Sequence, residues 1–338
     1  MAKIHFLNVD EGDCSIIEHD NGTVSMIDIC CGNITEKCQV AMPCTESVNS
    51  LSGNFNQKAY PTNPVEYLKR HNIETLFRYI QTHPDMDHMD GLQNLKDSIS
   101  IWNFWDTENT KKQEFSENGI SGRFYKKDWD CYCQLRQSST VPKALFYYDG
   151  SSNKYYSEDD NGVLKDDYLK ILSPTKELLK AAEQARDWND SSYVILYCVQ
   201  GWKILFCGDA DMGTINHLLK KHKEDISNLD VLIAPHHGRD SSKDFTFLDV
   251  MKPKLTLVGN AKSKDLAYGK WDNRNLEHIQ NNQGGDILID IYNGEMHVSC
   301  SNKTFADAYV KQHFKQESSL KNTRNPDYWH LFYREREK

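Results

Sequence analysis

Apolar and polar residues alternate with a period of two through KIHFLNV, CSIIE and TVSMIDI at the start of the chain, and turn signals, EGD and DNG, separate the runs. Three short, paired antiparallel strands are expected there. A helical spacing follows in PTNPVEYLKRHN, where Pro64 suits a first turn. TLFRYIQT then returns to strand alternation and delivers the chain to His83. Beyond Gly91, LQNLKDSI predicts a short helix and ISIWNFW a strand.

Between residues 107 and 165 no apolar period is sustained, and the stretch reads as an irregular polar insertion of the kind that serves as a lid or binding loop. Periodicity resumes with LKIL as a strand, PTKELLKAAEQAR as a helix, and YVILYCV and WKILFC as a hairpin turned at Gln200 and Gly201. DMGTINHLLKKHK predicts a helix whose His217 and His222 face solvent among lysines. LDVLIA and KLTLVG read as strands, FTFLDVM and NRNLEHIQN as helices, and DILIDI with MHVSC as a hairpin joined by an Asn-Gly turn. Strands dominate both halves and each half also supplies helices. That pattern predicts an α/β fold with two β-sheets packed face to face and helices outside.

The chain has 338 residues, 38% hydrophobic and 26% charged, which suits one large globular domain over residues 1–300. Residues 301–338 form an extension rich in aromatics, expected to pack on the domain or on a protein partner. The net charge of −9 disfavours adhesion to nucleic acid or anionic lipid by charge alone. The opening residues lack a secretory pattern and no apolar run approaches the ~20 residues of a membrane span, so a cytoplasmic protein without membrane contact is expected. Ten cysteines are then read as reduced thiols, with Cys14, Cys198 and Cys207 in the core. Cys30, Cys31, Cys38 and Cys44 cluster without the CxxC spacing of a zinc knuckle.

The stretch THPDMDHMDG, residues 82–91, puts two histidines and three acidic residues at the end of a predicted strand. A turn capping a helix near Asp90 is one reading. A metal site is the other, because divalent cations need neutral imidazoles and carboxylates converging on a point. Three other strand ends add donors: Asp28 after TVSMI, Asp209 after WKILFC, and His236 and His237 after LDVLIA. Strand ends make rigid platforms for such ligands.

These motifs, in this order, resemble the metallo-β-lactamase superfamily and, within it, the hydrolase domain of the competence-type (ComEC-like) branch. The matched elements are FLNVDEGD, MIDIC, HPDMDH, NDSSYVILY, LFCGDAD and DVLIAPHHGRDSS, spread from Lys3 to about Cys300. The resemblance implies an αββα sandwich of two mixed sheets and a pair of divalent ions, Zn or Mn. It implies that His83 and Asp85 hold one ion, that Asp87, His88 and one of His236 and His237 hold the other, and that Asp209 bridges them. Asp28 would orient the ligand loop, or simply cap its strand. The superfamily has a further histidine before the Gly-Asp turn, whereas this chain has none between Gly91 and Gly208. Asn189 or Asp190 is the candidate to fill that place through oxygen.

A carboxylate-bridged metal pair points to hydrolysis. The resemblance directs it to a phosphodiester of a nucleotide or nucleic acid. Asp87, His237 and Lys270 are the candidate catalytic residues, and Arg239, Ser241 and Ser242 candidate contacts for a phosphate oxygen. The alternatives are hydrolysis of another ester, such as a choline phosphodiester or lactone, and a non-catalytic, metal-stabilised interaction module.

Overall fold

In the strand Val194–Val199, Ile195, Tyr197 and Val199 point into one apolar cluster while Val194, Leu196 and Cys198 point into another. Successive strand residues face opposite sides, so this strand must lie between two apolar layers. The odd-numbered set meets Ile4, Phe6, Ile289 and Ile291 of a second sheet. The even-numbered set meets Ile215 and Leu218 of the helix Met212–Lys221 and Leu248 of the helix Phe247–Met251. On the far face of the second sheet, Ile16, Met26, Tyr79 and Phe104 pack against Val65 and Leu68 of the helix Pro64–Arg70, and against Leu92 and Leu95 of the helix Leu92–Ser98. Each such aliphatic side chain contributes about 1.5–3 kcal/mol by leaving water. The resulting layers are helix, sheet, sheet, helix: the αββα sandwich. The computed structural model describes residues 1–36, 51, 54–241 and 244–336.

Among the described residues, one sheet has nine strands in the order Trp329–Glu335, Glu295–Cys300, Ile287–Tyr292, Ala2–Phe6, Ser15–Glu18, Val24–Ile27, Thr75–Ile80, Ser100–Asp106, Lys143–Phe146. The other has six: His278–Gln280, Leu255–Val258, Val231–Ile233, Trp202–Phe206, Val194–Val199, Asp167–Ser173. Both are mixed. In the first, the four strands from Val24–Ile27 to Lys143–Phe146 run parallel, and in the second, the four from Trp202–Phe206 to His278–Gln280 do so. Parallel neighbours present their carboxyl ends on a common edge, where ligands of α/β sheets gather. The segments after Ile27, Ile80, Phe206 and Ile233 leave from such ends.

Two expectations about elements need correction. NRNLEHIQN is not a helix: His278–Gln280 pairs in parallel with Leu255–Val258, and edge pairing overrides the local spacing. Residues 107–165 are not wholly irregular. They contain the ribbon Ile120–Ser121 with Phe124–Tyr125, the helix Lys126–Leu135, whose Trp129 and Tyr132 enter the outer cluster, and the edge strand Lys143–Phe146. The C-terminal stretch supplies the helix Lys303–Phe314 and the edge strand Trp329–Glu335, which pairs with Glu295–Cys300. Cys14, Cys30, Cys31, Cys198 and Cys207 are buried free thiols, while Cys38 and Cys44 lie outside the described residues. Among the described residues no helix is long and apolar enough to cross a membrane.

Candidate metal centre

Asp28 leaves its strand in a left-handed turn (φ 57°) that points a fully buried carboxylate at the loop following Ile80. Its Oδ1 accepts the Thr82 backbone N–H at 2.7 Å, and its Oδ2 accepts the Thr82 hydroxyl at 2.5 Å and faces His88 Nδ1 at 2.7 Å. Because the single Thr82 hydroxyl proton goes to Asp28, the same oxygen accepts from His83 Nδ1, 3.1 Å away. One carboxylate thereby fixes two imidazoles with the proton on Nδ1. Their Nε2 atoms are left facing inward, which is how imidazoles are prepared to hold a cation. Gln81 ties the same loop down by donating to the carbonyls of His83 (2.8 Å) and His88 (3.0 Å).

A third imidazole has a carboxylate behind it at ion-pair distance, without an aligned hydrogen bond. His237 Nδ1 lies 3.0 Å from Asp13 Oδ1. Asp13 comes from the EGD turn after the first strand, a role for it that the sequence reading did not assign although the turn itself was singled out. Gly12 lets that turn approach so closely: a Cβ there would stand 2.3 Å from the Asp87 carbonyl oxygen and 2.7 Å from Cys30 Sγ, at a φ of +150°.

All these groups converge on Asp209, which is 3% exposed. Its Oδ1 is 3.1 Å from His88 Nε2 and 3.4 Å from His237 Nε2, and His237 Nε2 is 4.0 Å from Asp87 Oδ2. Its Oδ2 is 3.5 Å from His236 Nε2 and 3.9 Å from His83 Nε2, which is itself 3.9 Å from Asp85 Oδ2. The two oxygens of one carboxylate thus face two separate groups of donors. One donor atom from each of Asp87, His88, Asp209 and His237 can be chosen so that all lie within 4.8 Å of one another, a set able to hold a metal ion.

His236 and His237 both adopt left-handed backbone (φ 52° and 55°). In an extended strand neighbouring side chains diverge; here the double left-handed turn brings both to Asp209. Such residues cost about 1–3 kcal/mol each and persist where the surroundings impose them.

The electrostatics fit a cation. Burial, and then the neighbouring His88, pull the His83 imidazole down to about 3, so it is neutral and ready to ligate. Burial also disfavours charge on His88, but Asp209 and Asp28 hold it well above the usual imidazole value. Burial pushes the Asp209 carboxyl up, yet His237, His88 and His236 keep it well below the usual carboxylate range. His83 Nε2, His88 Nε2, His237 Nε2 and Asp209 Oδ1 are buried without an aligned hydrogen-bond partner among the described residues. Each such orphan costs about 1–3 kcal/mol. Imidazole nitrogens and carboxylate oxygens left in that state around one point match the donor set of a divalent, borderline-soft ion.

Other candidates are placed differently. Asp190 is turned away: its carboxylate accepts the backbone N–H groups of Asp211 (3.1 Å), Gly213 (3.0 Å) and Thr214 (2.8 Å) at the start of the helix Met212–Lys221. Asn189 lines a cleft beside Asp85 and is not among the groups around Asp209. Lys270 is drawn to an aromatic surface, its Nζ 5.5 Å from the Phe245 ring centre, and among the described residues it forms no ion pair with the cluster's carboxylates. Arg239 Nη1 lies 3.4 Å from His236 Nε2, and Ser241 Oγ 3.2 Å from His236 Nδ1, so Ser241 backs an imidazole. Ser242 lies outside the described residues.

One cation was missed. Lys111 Nζ stands 2.5 Å from Asp85 Oδ1. It belongs to the polar stretch after residue 107, where no motif distinguishes it from its lysine neighbour. With Lys112, Arg186 and Trp188 it lines a cleft of about 790 Å³ that reaches Asp85 and also carries Glu114, Glu183 and Asp187.

No family model matches the sequence, and no curated protein matches it. Similar solved structures include a diphosphatase of the PhnP family, at 10% identity and a TM-score of 0.44, covering 86% of this chain and 98% of that one. A mutant of the CmlA β-hydroxylase matches at 10% identity and a TM-score of 0.47, over 86% of this chain and 54% of its own. The Rm3 metallo-β-lactamase matches at 11% identity and a TM-score of 0.34, over 69% and 75%.

Proposed function

We propose that the protein is a metal-dependent hydrolase of phosphodiesters, of the metallo-β-lactamase type, acting on nucleotides or short single strands. The observation that carries this reading is Asp209, whose two oxygens each face a different pair of imidazoles. Asp87, His88 and His237 would hold one ion, His83, Asp85 and His236 the other, and Asp209 both. Bound there, divalent ions supply Lewis acidity and make water easier to deprotonate near neutral pH. Asp28, Thr82 and Asp13 keep the imidazoles oriented with Nε2 inward. Arg239, beside His236 and 3.4 Å from Asp265 Oδ2, would bind an anionic oxygen. Lys111 neutralises part of the charge on Asp85 and offers a second cation at the mouth of the adjoining cleft.

The phosphodiester choice, over a lactone or other ester, draws on the carboxylate-rich donor set and on Lys111, Lys112 and Arg186 along that cleft. The cleft's acidic residues and the net charge of −9 favour a small substrate over long duplex DNA, whose binding rests on neutralising many phosphates. Hydrolysis of bis-p-nitrophenyl phosphate with manganese or zinc tests the reading. Activity is expected to vanish on chelation and to fall by well over the roughly 10–100-fold typical of outer partners in Asp209→Ala. Undiminished activity in that folded variant would overturn it. A panel of a cyclic dinucleotide, single-stranded DNA, a choline phosphodiester and a lactone then separates the substrate classes.

A further inference from the structure

Away from Asp209, a second set of donors closes on Asp149. His217 and His222, expected to face solvent, turn inward instead. His217 Nε2 lies 3.1 Å from Asp149 Oδ2, and His222 Nε2 lies 2.9 Å from Asp149 Oδ1. The Asp149 side chain is 3% exposed and that of His222 8%. On its other side, His222 Nδ1 lies 3.0 Å from Asp225 Oδ2, and Asp225 Oδ1 is held by Lys170 at 2.6 Å. Lys221 Nζ is 2.5 Å from Asp149 Oδ2.

His222 therefore meets a carboxylate oxygen from each ring nitrogen. A neutral imidazole has one N–H and can donate to only one of them. With that proton directed to Asp225, Nε2 presents a lone pair to an anionic oxygen 2.9 Å away, a repulsive contact unless positive charge lies between. His217 Nε2 is aimed at the other oxygen of the same carboxylate, and the donor atoms of Asp149, His217 and His222 all lie within 4.8 Å of one another. A carboxylate behind the far nitrogen, as Asp225 is, is the usual backing of a metal-ligating imidazole.

From this geometry we infer that Asp149, His217 and His222 form a second, non-catalytic site for a zinc-like divalent ion. Two imidazoles and a carboxylate suit that ion, and the partly exposed His217 leaves room for water as a fourth ligand. The site joins two segments distant in sequence. Asp149 follows the edge strand Lys143–Phe146, and the two histidines belong to the helix that begins three residues after Asp209 and to its C-terminal cap. An ion there fastens the 107–165 stretch, which carries Lys111, against the helix that follows Asp209. Lys221 is the built-in competitor: its side chain is 58% exposed and can swing into water when an ion takes Asp149.

The test is zinc stoichiometry, and it does not depend on hydrolase activity. Elemental analysis of the desalted full chain should show one zinc fewer per chain in His222→Ala than in its parent, in both the native and the Asp209→Ala background. The difference is independent of whether the cluster at Asp209 binds metal. Equal zinc content in both pairs overturns the inference, since a proton alone would then supply the positive charge. Lys221→Met alters an exposed side chain and should preserve the fold. It is expected to bind zinc a few-fold more tightly by calorimetry, in keeping with the loss of one ion pair whose lysine is exposed. Unchanged or weaker binding overturns the inference as well.

Discussion

His236 and His237 are adjacent in the chain and reach the same carboxylate, His236 Nε2 lying 3.5 Å from Asp209 Oδ2 and His237 Nε2 3.4 Å from Oδ1. Their shared left-handed backbone makes this possible, and each imidazole meets a different oxygen of Asp209: Oδ2, which His83 also faces, for the first, and Oδ1, which His88 also faces, for the second. The variants His236→Ala and His237→Ala should therefore not be equivalent. Each is expected to lose one of two bound ions while retaining the other, as measured by metal content per chain at matched free zinc. Loss of both ions from either variant would mean that the donors act as one site.

The imidazoles are oriented by residues that touch no ion. Asp28→Asn keeps the shape of the side chain but cannot accept from Thr82 and His88 with two anionic oxygens. Asp13→Asn weakens the support of His237 alone. Metal affinity is expected to fall by about 10–100-fold in each. Calorimetric titration with zinc checks this, and circular dichroism confirms the fold.

Gly12 answers a separate question, how the EGD turn lies so near the metal loop. In Gly12→Ala the new methyl would collide with the Asp87 carbonyl oxygen and with Cys30, at a backbone angle that side chains disfavour. Overpacking of this kind costs about 1–3 kcal/mol. A lower urea midpoint with an unchanged slope is the expected result, together with weaker metal binding because Asp87 is displaced.

Far from the centre, Glu18 Oε1 sits 2.9 Å from His5 Nε2 and 3.3 Å from Lys3 Nζ. Burial pushes its carboxyl up, but the bond and charge of His5 and the charge of Lys3 bring it down to about 2. The unfolded value is about 4.3. A depressed folded value means that Glu18 stabilises the fold above the unfolded value and that this contribution is lost as pH falls from about 4.3 toward 2. Urea midpoints at pH 5 and pH 3 should accordingly fall further in the parent than in Glu18→Gln. Equal falls would show that the ion pair carries no such linkage.

Much of the sandwich could be read from the sequence, because alternation in YVILYCV and its neighbours directly encodes strands with two buried faces. NRNLEHIQN could not, since its strand exists only through pairing with Leu255–Val258. The same divide runs through the candidate site. His83, Asp85, Asp87 and His88 were visible as a dense local motif, and Asp28, Asp209, His236 and His237 as donors at strand ends. Asp190 looked equally suitable in sequence, yet three backbone N–H groups claim its carboxylate. Lys270, a candidate catalytic residue in sequence, instead holds its Nζ over the Phe245 ring. Lys111, with no motif around it, stands against Asp85.

The sequence by itself determined the kinds of donor available and the strand ends that carry them, because both are local properties of residue type and period. Only the tertiary structure decided which donors meet. A left-handed turn at two consecutive histidines, and one buried aspartate shared by Thr82 and His88, depend on how parallel strand ends from two sheets abut, which local spacing does not encode.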